Sequence, residues 1–475
     1  MTNQTELKLA IAVVLAGLLY LAGSLPFLTM SLDGVIYAGI ARDLAADLGN
    51  FWALPYFDSS VTAFTDHPPL GIWFLSLWFG IFGDRFWVER LYCTMMAIAI
   101  AAAMALLWSR LNRSSRASKD GFVWALLMLF LMPITTYTLR SNALELLIAL
   151  IAILAAVGAL EGRTKNLWHP IVGVLAAIGF LVKGPVGLFP LAMPFVFAAL
   201  MDNQILRGIR RSTMSSFVCF TLLASLLFYE PARDHLFAYF DQQVLASLTG
   251  QRGNDNDRIY LLQHLVTNLA IPMVLSLGLI SLRFAVAQRA GGATVSRLRP
   301  FSSGAAYLPS RDTVAMIAIG LIASLPLFIS PRHYRHYLFP CLPFFALAAA
   351  MIVQPKLQLN PKWARRLVTI LVLSLVARTA LNFGLPGKDA AILNSLEITA
   401  SYAIESEVNQ LGFCQPDPIR QSYLRRYHQL QSTSQDQGQI LLSVCAEERP
   451  PKNAEQLRSL PDGTTLWRRL SPTNP

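Results

Sequence analysis

The sequence predicts an all-α polytopic membrane protein with about eleven spanning helices and a small α/β domain at its C-terminal end. Three observations lead to this prediction: the composition, the spacing of the apolar runs and the distribution of basic residues. Of the 475 residues, 54% are hydrophobic and 14% are charged, and the mean hydropathy is +0.46. A soluble chain of this length needs a far more polar surface, whereas a bilayer removes that requirement.

Apolar stretches of spanning length recur along the first 386 residues. They lie near residues 9–28, 87–108, 121–139, 143–160, 167–182, 185–201, 214–229, 261–282, 313–329, 337–353 and 367–386. The first stretch follows Lys8, and no small-residue cleavage site comes after it. We therefore interpret it as a span and not as a removed signal peptide.

The basic residues give these spans an orientation. If the N-terminus lies in the cytoplasm, the cytoplasmic loops carry nineteen Lys and Arg residues. The opposite loops before the C-terminal segment carry ten, spread over more sequence. This bias agrees with the positive-inside rule and places the C-terminal segment outside the cytoplasm. Basic loops on one side of a membrane also account for the net charge of +11, so no nucleic-acid partner is predicted.

Two regions lie outside the spans. The first external loop, residues 29–86, contains an amphipathic helix over 31–49, with Ser31 as N-cap and Gly49 as its end. Its apolar stripe consists of Val35, Ile36, Ile40, Leu44 and Leu48. Later in the same loop, the run Leu70–Phe82 is too short to span comfortably, and we predict that it is interfacial or re-entrant.

The second region, residues 387–475, is predicted to be a small extracytoplasmic domain that follows a transmembrane catalytic domain of residues 1–386. Helical patterning near 393–411 and strand-like runs at Gln439–Cys445 and Thr464–Leu470 indicate mixed α/β structure. Cys414 and Cys445 lie in this segment. They form a disulfide if the segment is outside the cytoplasm, and two free thiols are the alternative.

Ionisable side chains at a membrane boundary are costly and therefore mark candidate sites. Asp33 follows the first span at the start of the amphipathic helix, where the helix dipole favours a carboxylate. Asp66 and His67 precede Pro68-Pro69, which fixes the backbone and presents both side chains at the water boundary. An ordinary cap-region aspartate and solvated neighbours of a helix-start proline are the structural alternatives.

Five basic or titratable side chains are predicted on the outer side, where positive charge is avoided. They are Lys183, Arg332, His333, Arg335 and His336. Such a set is suited to bind a phosphate group, whereas snorkelling and anchoring of span ends are the simpler alternatives. Glu145 is predicted near the outer end of the fourth span, where it serves either the site or an interhelical ion pair. We interpret Glu89-Arg90 as an interhelical ion pair.

Two carboxylates and several cations at one membrane face are the parts that phosphate-linked sugar chemistry needs. An acceptor hydroxyl loses its proton to a general base as it attacks the anomeric carbon. The leaving lipid phosphate gains negative charge, which cations stabilise. The sequence lacks a nucleotide-binding Gly-rich fingerprint, and an outward-facing site has no access to cytosolic nucleotide sugars. A lipid-linked donor fits both facts.

These segments resemble the polyprenyl-phosphate-sugar-dependent glycosyltransferases of the GT-C fold. Within that group the sequence is similar to the branch that contains the aminoarabinose transferases of lipid A and the protein O-mannosyltransferases. The resemblance covers roughly residues 1–350, in the family's order. Its segments are Leu32–Leu44, Asp66–Leu70, Phe82-Gly83 with Glu89–Leu91, Lys183–Pro185 and His333–Pro343.

The resemblance implies roles for individual residues. It makes Asp33 the catalytic carboxylate, with Asp66 as a second acid. Family members usually carry an acid where this chain has Gly34, and often a lysine where it has His67, whose charge state would add pH dependence. The donor-phosphate ligands would be His67, Lys183, Arg332, His333, Arg335 and His336. Further donor or acceptor contacts would be Tyr37, Arg42, Tyr337 and two candidates for one family aspartate, Asn142 and Glu145.

The implied reaction is the inverting transfer of one sugar from an undecaprenyl-type phosphate to lipid A, another glycolipid or a protein. It would take place at the periplasmic face of a bacterial inner membrane. No nucleotide is expected, and a divalent metal, which some related GT-C enzymes use, is not implied by the sequence. A transporter or flippase of a lipid-linked sugar is the alternative, disfavoured because the ionisable residues lie at one boundary and not at the midplane. The missing acid at Gly34 leaves open an inactive relative that acts as an assembly partner.

Overall fold

The computed structural model describes most of the chain, and the following account is restricted to that part. The described residues are 29–56, 63–112, 121–251, 257–289, 310–329, 333–357, 387–433, 442–446 and 454–469, with Gly17 and scattered residues between 366 and 381. The spans predicted near 9–28 and 367–386 therefore lie largely outside them. The chain divides into two compact units. The first comprises residues 1–23, 94–139 and 144–381, and the second comprises residues 24–93, 140–143 and 382–475.

The described residues of the segment 29–86, predicted to be the first external loop, form two helices, α1 (Leu32–Ala45) and α2 (Leu70–Phe82). As predicted, Ser31 caps α1, because its side-chain oxygen accepts a hydrogen bond from the Gly34 amide. The helix ends at Ala45, so the predicted end at Gly49 is wrong. Asp47 adopts a left-handed conformation (φ 56°), which an aspartate tolerates and which stops the helix. Leu48 lies beyond that end and is 60% exposed, so it is not part of the apolar stripe.

Helix α2 is apolar on nearly every side, and with 13 residues it is shorter than a span requires. Trp73, Leu77 and Ile81 follow one another at a spacing of four residues and form one exposed face. The opposite face is buried through Ile72, Leu75 and Phe79. An apolar helix with one exposed apolar face suits the predicted interfacial position.

Between residues 88 and 357, the described residues are mostly helical. The α-helices are α3 (Val88–Leu111), α4 (Phe122–Leu131), α5 (Pro133–Thr138), α6 (Glu145–Glu161), α7 (Trp168–Lys183), α8 (Met193–Leu200), α9 (Ile205–Leu226), α10 (Glu230–Tyr239), α11 (Ala246–Leu248), α12 (Arg258–Arg289), α13 (Arg311–Ile329) and α14 (Leu342–Leu357). Two 3-10 segments (Gly184–Ala192 and Arg335–Cys341) and one π segment (Phe240–Leu245) lie between them. In the described part of the chain, five helical stretches are long and apolar enough to cross a membrane, or six if the bent pair Ile205–Leu226 and Glu230–Leu248 is one span. This number counts Trp168–Leu200 as one stretch, although the chain reverses within it at Gly184. The number of about eleven stays a prediction.

Residues 168–200 fold back on themselves at Gly184. In a straight helix Gly179 and Gly187 would be about 12 Å apart. Instead, a Cβ built on Gly187 would lie 2.1 Å from the carbonyl carbon of Gly179. Gly184 reverses the chain with φ +71°, and a Cβ there would lie 1.8 Å from the Tyr239 hydroxyl oxygen, so only glycine fits. Lys183 therefore lies in a tight turn between two helical segments, as the sequence predicted.

The C-terminal segment forms the predicted small α/β structure. It contains α15 (Ala390–Glu405), α16 (Pro418–His428) and strands β1 (Gln410–Phe413), β2 (Gln431–Thr433), β3 (Leu442–Ala446), β4 (Ala454–Ser459) and β5 (Thr464–Arg469). The sheet order is β2-β1-β3-β5-β4. Strand β1 pairs in parallel with β2 and β3, and β5 pairs antiparallel with β3 and β4.

Two sequence expectations for this segment are settled by the structure. The helical pattern near 393–411 covered two elements, α15 and β1, because Glu407 adopts a left-handed conformation (φ 55°) between them. Cys414 and Cys445 are bonded as a disulfide, with Cα atoms 5.1 Å apart, which decides between the two alternatives. The disulfide ties the end of β1 to β3.

Candidate active site

In the second unit, the first turn of α1 is held from two sides and carries Asp33. The Ser31 hydroxyl donates to the Ser141 carbonyl oxygen at 2.9 Å. The Asn142 side-chain amide donates to the Gly34 carbonyl oxygen at 2.9 Å. Asn142 is buried and has φ 51°, a conformation that asparagine adopts more readily than most residues. The segment 140–143 thus fixes the backbone on which Asp33 stands.

The close packing of segment 140–143 on the first turn of α1 requires a glycine at position 34. A Cβ on Gly34 would lie 1.9 Å from the Ser141 carbonyl oxygen, which no side chain can tolerate. The acid that the resemblance would place at this position is therefore replaced by a residue that lets segment 140–143 approach the helix. The absence of an acid at position 34 is explained by packing, so it is not evidence for an inactive protein.

An aromatic group lies one turn after Asp33. The rings of Tyr37 and His67 are 5.7 Å apart and edge-on, and the Phe64 ring is within 6.4 Å of both. Asp33 and Tyr37 are four residues apart in α1 and therefore share a helix face. The His67 ring therefore lies against the face of α1 that carries Tyr37. Asp66 is the neighbour of His67 in the sequence.

In the first unit, residues far apart in sequence form a buried charged group, which we call the Lys183 cluster (Glu145, Lys183, His336 and Tyr337). The Lys183 ammonium, 6% exposed, forms an ion pair with Oε1 of Glu145, which is 2% exposed. The ammonium also lies 4.3 Å from the centre of the Tyr337 ring. His336 Nε2 is 3.7 Å from the same Glu145 oxygen. The second oxygen, Oε2, is buried and has no hydrogen-bond partner among the described residues.

The other predicted phosphate ligands on residues 332–335 divide into three cases. His333 is buried. Arg335 is exposed, and its guanidinium lies 4.1 Å from the centre of the Tyr137 ring, a partner that the sequence analysis missed. Arg332 lies outside the described residues.

The structure separates the two candidates for the family aspartate. The Asn142 side chain is used by the Gly34 carbonyl, so it supports the backbone. Glu145 stands at the first turn of α6, pairs with Lys183 and keeps one oxygen available. Glu145 is therefore the residue of the two that has capacity for a ligand.

Arg42, a predicted substrate contact, belongs to a set of ion pairs in the second unit that we call the Arg426 network (Arg42, Arg425 and Arg426 with Asp43, Asp84 and Glu89). Asp43 accepts from Arg42 Nε at 2.9 Å and from Arg425 Nε at 2.7 Å. Arg426 donates to Asp84 at 2.7 Å and to Glu89 at 2.9 Å. Arg42 and Arg425 also line a cavity of about 390 Å³.

The network revises one interpretation. Glu89 is fully buried and pairs with Arg426 of α16, so its partner is in the C-terminal segment and not on a neighbouring span. Arg90 instead donates to the carbonyl oxygens of Thr29 and Arg140. Burial alone would lower the pKa of the Arg426 guanidinium, but the Glu89 and Asp84 carboxylates raise it above the usual value.

The geometry can support transfer chemistry on a phosphate-linked substrate. The Lys183 cluster offers a cation and a carboxylate oxygen inside a low-dielectric site, where both interact strongly with a bound anion or hydroxyl. Asp33 offers a carboxylate at a capped helix start. Among the described residues, no group of three or more His, Cys, Asp or Glu side chains is arranged to hold a metal ion.

Known proteins are similar to this chain in sequence over one segment and in structure over nearly its whole length. Residues 66–231 match the family described as dolichyl-phosphate-mannose-protein mannosyltransferase. ArnT from Cupriavidus metallidurans, bound to undecaprenyl phosphate, is similar to the chain with a TM-score of 0.66 and 14% identity over 97% of this chain and 98% of that one. Its apo state gives a TM-score of 0.63. No curated protein matches the chain in sequence.

A further match is the archaeal oligosaccharyltransferase AglB from Archaeoglobus fulgidus, in complex with an inhibitory peptide and a dolichol-phosphate. It has a TM-score of 0.52 and 12% identity, and covers 99% of this chain and 75% of that one. At such identities the likeness shows a shared fold. The chain has the GT-C fold.

The GT-C fold and the family match confirm three sequence predictions. These are the recognition as a polyprenyl-phosphate-sugar-dependent enzyme, the multi-pass helical architecture and the enzyme class, a glycosyltransferase that uses a lipid-phosphate-linked sugar. The same findings favour the enzyme over the transporter or flippase.

Proposed function

We propose that the protein is an inverting glycosyltransferase that moves one sugar from a polyprenyl-phosphate donor to an acceptor hydroxyl or phosphate. The observation that carries this proposal is the Lys183 cluster in a chain of GT-C fold. It combines a buried ammonium with a carboxylate oxygen that has no partner among the described residues. The undecaprenyl phosphate bound to the similar ArnT structure supports a lipid-phosphate donor.

In this proposal the cations hold the donor phosphate. Lys183, His333, Arg335 and His336, all in the first unit, neutralise the charge that builds up as the sugar–phosphate bond breaks. Charge-assisted hydrogen bonds strengthen towards the leaving phosphate, so they accelerate the step more than they tighten ground-state binding. Tyr337 keeps the Lys183 ammonium in place through its ring.

Asp33 acts as the general base. The acceptor oxygen attacks the anomeric carbon, Asp33 removes its proton, and the polyprenyl phosphate leaves with the electron pair of the broken C–O bond. A single displacement of this kind inverts the anomeric configuration. Asp66, next to the ring contact of His67 with Tyr37, is the second carboxylate of the site and orients the acceptor.

Glu145 contacts the sugar. Its Oε2 accepts a hydrogen bond from a sugar hydroxyl or amino group, while Oε1 stays paired with Lys183. Tyr37 and Arg42 are proposed as further contacts to the donor or acceptor. The Oε2 atom contributes to specificity if only the substrate supplies its hydrogen bond. A sugar analogue that lacks the hydroxyl or amino group would leave the buried oxygen unpaired.

The reaction is proposed at the periplasmic face of a bacterial inner membrane. Two observations support that side: the excess of basic residues in the loops assigned to the cytoplasm and the Cys414–Cys445 disulfide in the C-terminal segment. The proposed acceptor is lipid A or another glycolipid, with a secreted protein as the other class. Mass spectrometry of lipid A, other glycolipids and secreted proteins from a deletion strain distinguishes them, because the true acceptor alone loses a sugar.

The Asp33→Asn variant tests the proposed chemistry. It keeps the size and the helix start but removes the base, so we expect turnover of a polyprenyl-phosphate sugar to fall by about 10²–10⁴-fold. Binding of the donor should change little. The measurement is transfer from a radiolabelled lipid-linked sugar, with melting temperature as a folding check.

Asp47→Asn is the matched control. Asp47 is an exposed carboxylate two residues beyond the end of the same helix, and it has no role in the proposed mechanism. Its variant should keep full activity. Full turnover by the Asp33→Asn variant would show that Asp33 is not the base.

A further inference from the structure

The C-terminal helix α16 lies along α1 and contacts both of its ends. The first contact is at Tyr423, a fully buried side chain. The Met30 amide donates to the Tyr423 hydroxyl oxygen at 2.9 Å, and the hydroxyl donates to Asp389 at 2.9 Å. Met30 directly precedes the N-cap Ser31, three residues before Asp33. Burial raises the pKa of Tyr423, so the phenol stays protonated at physiological pH.

The second contact is at the other end of α1. Arg425 Nε donates to Asp43 at 2.7 Å, and the side chains of this pair are 11% and 2% exposed. Between the two ends the helices pack closely, since a Cβ on Gly39 would lie 3.9 Å from Arg425 Cγ and 4.0 Å from Arg426 Cβ. A Cβ at this position would be in ordinary van der Waals contact with both side chains, so the middle of α1 faces α16.

Arg426 extends this support to the chain after α2. It donates to Asp84, to the Arg85 carbonyl oxygen at 2.8 Å and to Glu89. Tyr427 donates to the other Glu89 oxygen at 3.3 Å. One helix of the C-terminal segment therefore touches α1 at its start, its middle and its end, and also the beginning of α3.

We infer that Tyr423 and Arg425 are positioning residues for the glycosyl transfer: they hold α1 so that Asp33 keeps its reactive orientation. This inference rests on the proposed function, in which Asp33 is the base. A carboxylate at the start of a helix moves with the helix, and displacements of about 1 Å cost about 10²-fold in rate. Tyr423 and Arg425, which lie beyond the residues that match the family, thereby support the proposed base without contacting substrate.

Tyr423→Phe and Arg425→Gln test the inference. The first removes the oxygen that accepts the Met30 amide, and the second breaks the pair with Asp43. We expect kcat to fall about 10–100-fold in each, with the KM for the lipid-linked donor within about twofold of the unmodified protein, because the chemistry is misaligned while donor binding is kept. Hydrogen–deuterium exchange of peptides that cover residues 29–45 should become faster.

Arg420→Gln is the matched control. Arg420 lies on the same helix and pairs with Asp417 and Asp462, both within the C-terminal segment itself. Its loss should lower the melting temperature of that segment but leave kcat and the exchange of residues 29–45 unchanged. A purely structural role for all three residues would make kcat follow the melting temperature in every variant.

Three results would overturn the inference. One is unchanged exchange over residues 29–45 in Tyr423→Phe, which would mean that α16 does not hold α1. Another is faster exchange with full kcat in both variants, and a third is an equal fall of kcat in Arg420→Gln. The exchange measurement does not depend on activity. If Asp33→Asn stays active, the proposed function fails by itself, and the exchange data still report on the contact.

Discussion

The Arg426 network and the Lys183 cluster are both buried, and they differ in how many carboxylates share the cations. In the Arg426 network three arginines face three carboxylates, and each carboxylate accepts from at least one guanidinium. In the Lys183 cluster a single carboxylate serves Lys183 and lies near His336, and it keeps one oxygen without a partner among the described residues. Both groups keep one buried polar atom without a partner among the described residues: a guanidinium nitrogen, Arg426 Nε, in the first and a carboxylate oxygen, Glu145 Oε2, in the second.

This difference separates a structural role from a functional one. A buried ion pair is retained when both partners are satisfied, and losing one partner is strongly destabilising. A buried carboxylate oxygen without a partner costs free energy in the resting protein, so its presence suggests that a substrate group completes it. We therefore propose that the Lys183 cluster contacts substrate and that the Arg426 network holds the second unit together, with Arg42 as its one member that is also a proposed substrate contact.

The largest effect is expected from breaking the Arg426 network. Arg426→Ala leaves the fully buried Glu89 with an uncompensated charge and should destabilise the protein by about 3–5 kcal/mol. The measurement is the melting temperature in detergent. The double variant Arg426→Met with Glu89→Gln should recover most of the loss because it removes the stranded charge. A single variant as stable as the unmodified protein would contradict the structural assignment.

Breaking the Lys183 cluster should affect turnover more than stability. Lys183→Met removes the cation beside the proposed phosphate, and we expect kcat/KM for the donor to fall by about 10²–10³-fold. Adding Glu145→Gln should restore the melting temperature, because Glu145 no longer carries an unpaired buried charge, but it should not restore turnover. Recovered turnover in the double variant would show that Lys183 serves only its partner carboxylate.

The parts of the molecule that the sequence predicted are the parts set by local chemistry. Ser31 was identified as an N-cap because a serine before an apolar helical stripe has a local partner in the next turn. Lys183 was placed in a turn because Gly184-Pro185 follows it. The fold itself followed from apolar runs and from five short motifs in a family order, so recognition needed no tertiary information.

The parts that the sequence missed depend on contacts between distant residues. Gly34 looked like a lost acid, and the structure shows that the Ser141 carbonyl leaves no space for one. Tyr423 contacts Met30 across 393 positions, and no periodicity or motif marks it. Asn142 and Glu145 were equivalent in the sequence, because their difference depends on whether the partner is the Gly34 carbonyl or Lys183.

The smallest expected effect is a pH dependence of the stability of the C-terminal segment, which carries Arg425 and Arg426 of the Arg426 network. Burial lowers the pKa of His428, the last residue of α16, below 6.5, and Glu397 opposes that shift in part. The unfolded chain therefore binds this proton more readily than the folded one. The free energy of unfolding is therefore unaffected by His428 above about pH 6.5, and it falls as the pH drops below that value because the unfolded chain takes up the proton.

His428 is the only histidine among residues 387–475, and histidine is the side chain whose ordinary pKa lies between pH 5 and 8. Any loss of stability of the C-terminal segment between pH 7 and 5.5 should therefore come from His428. We expect the melting temperature of His428→Gln to vary with pH by about a few degrees less than that of the unmodified protein. An identical pH dependence in both proteins would show that the burial of His428 does not set the stability of this segment in that range, and the loss would have to arise elsewhere in the protein.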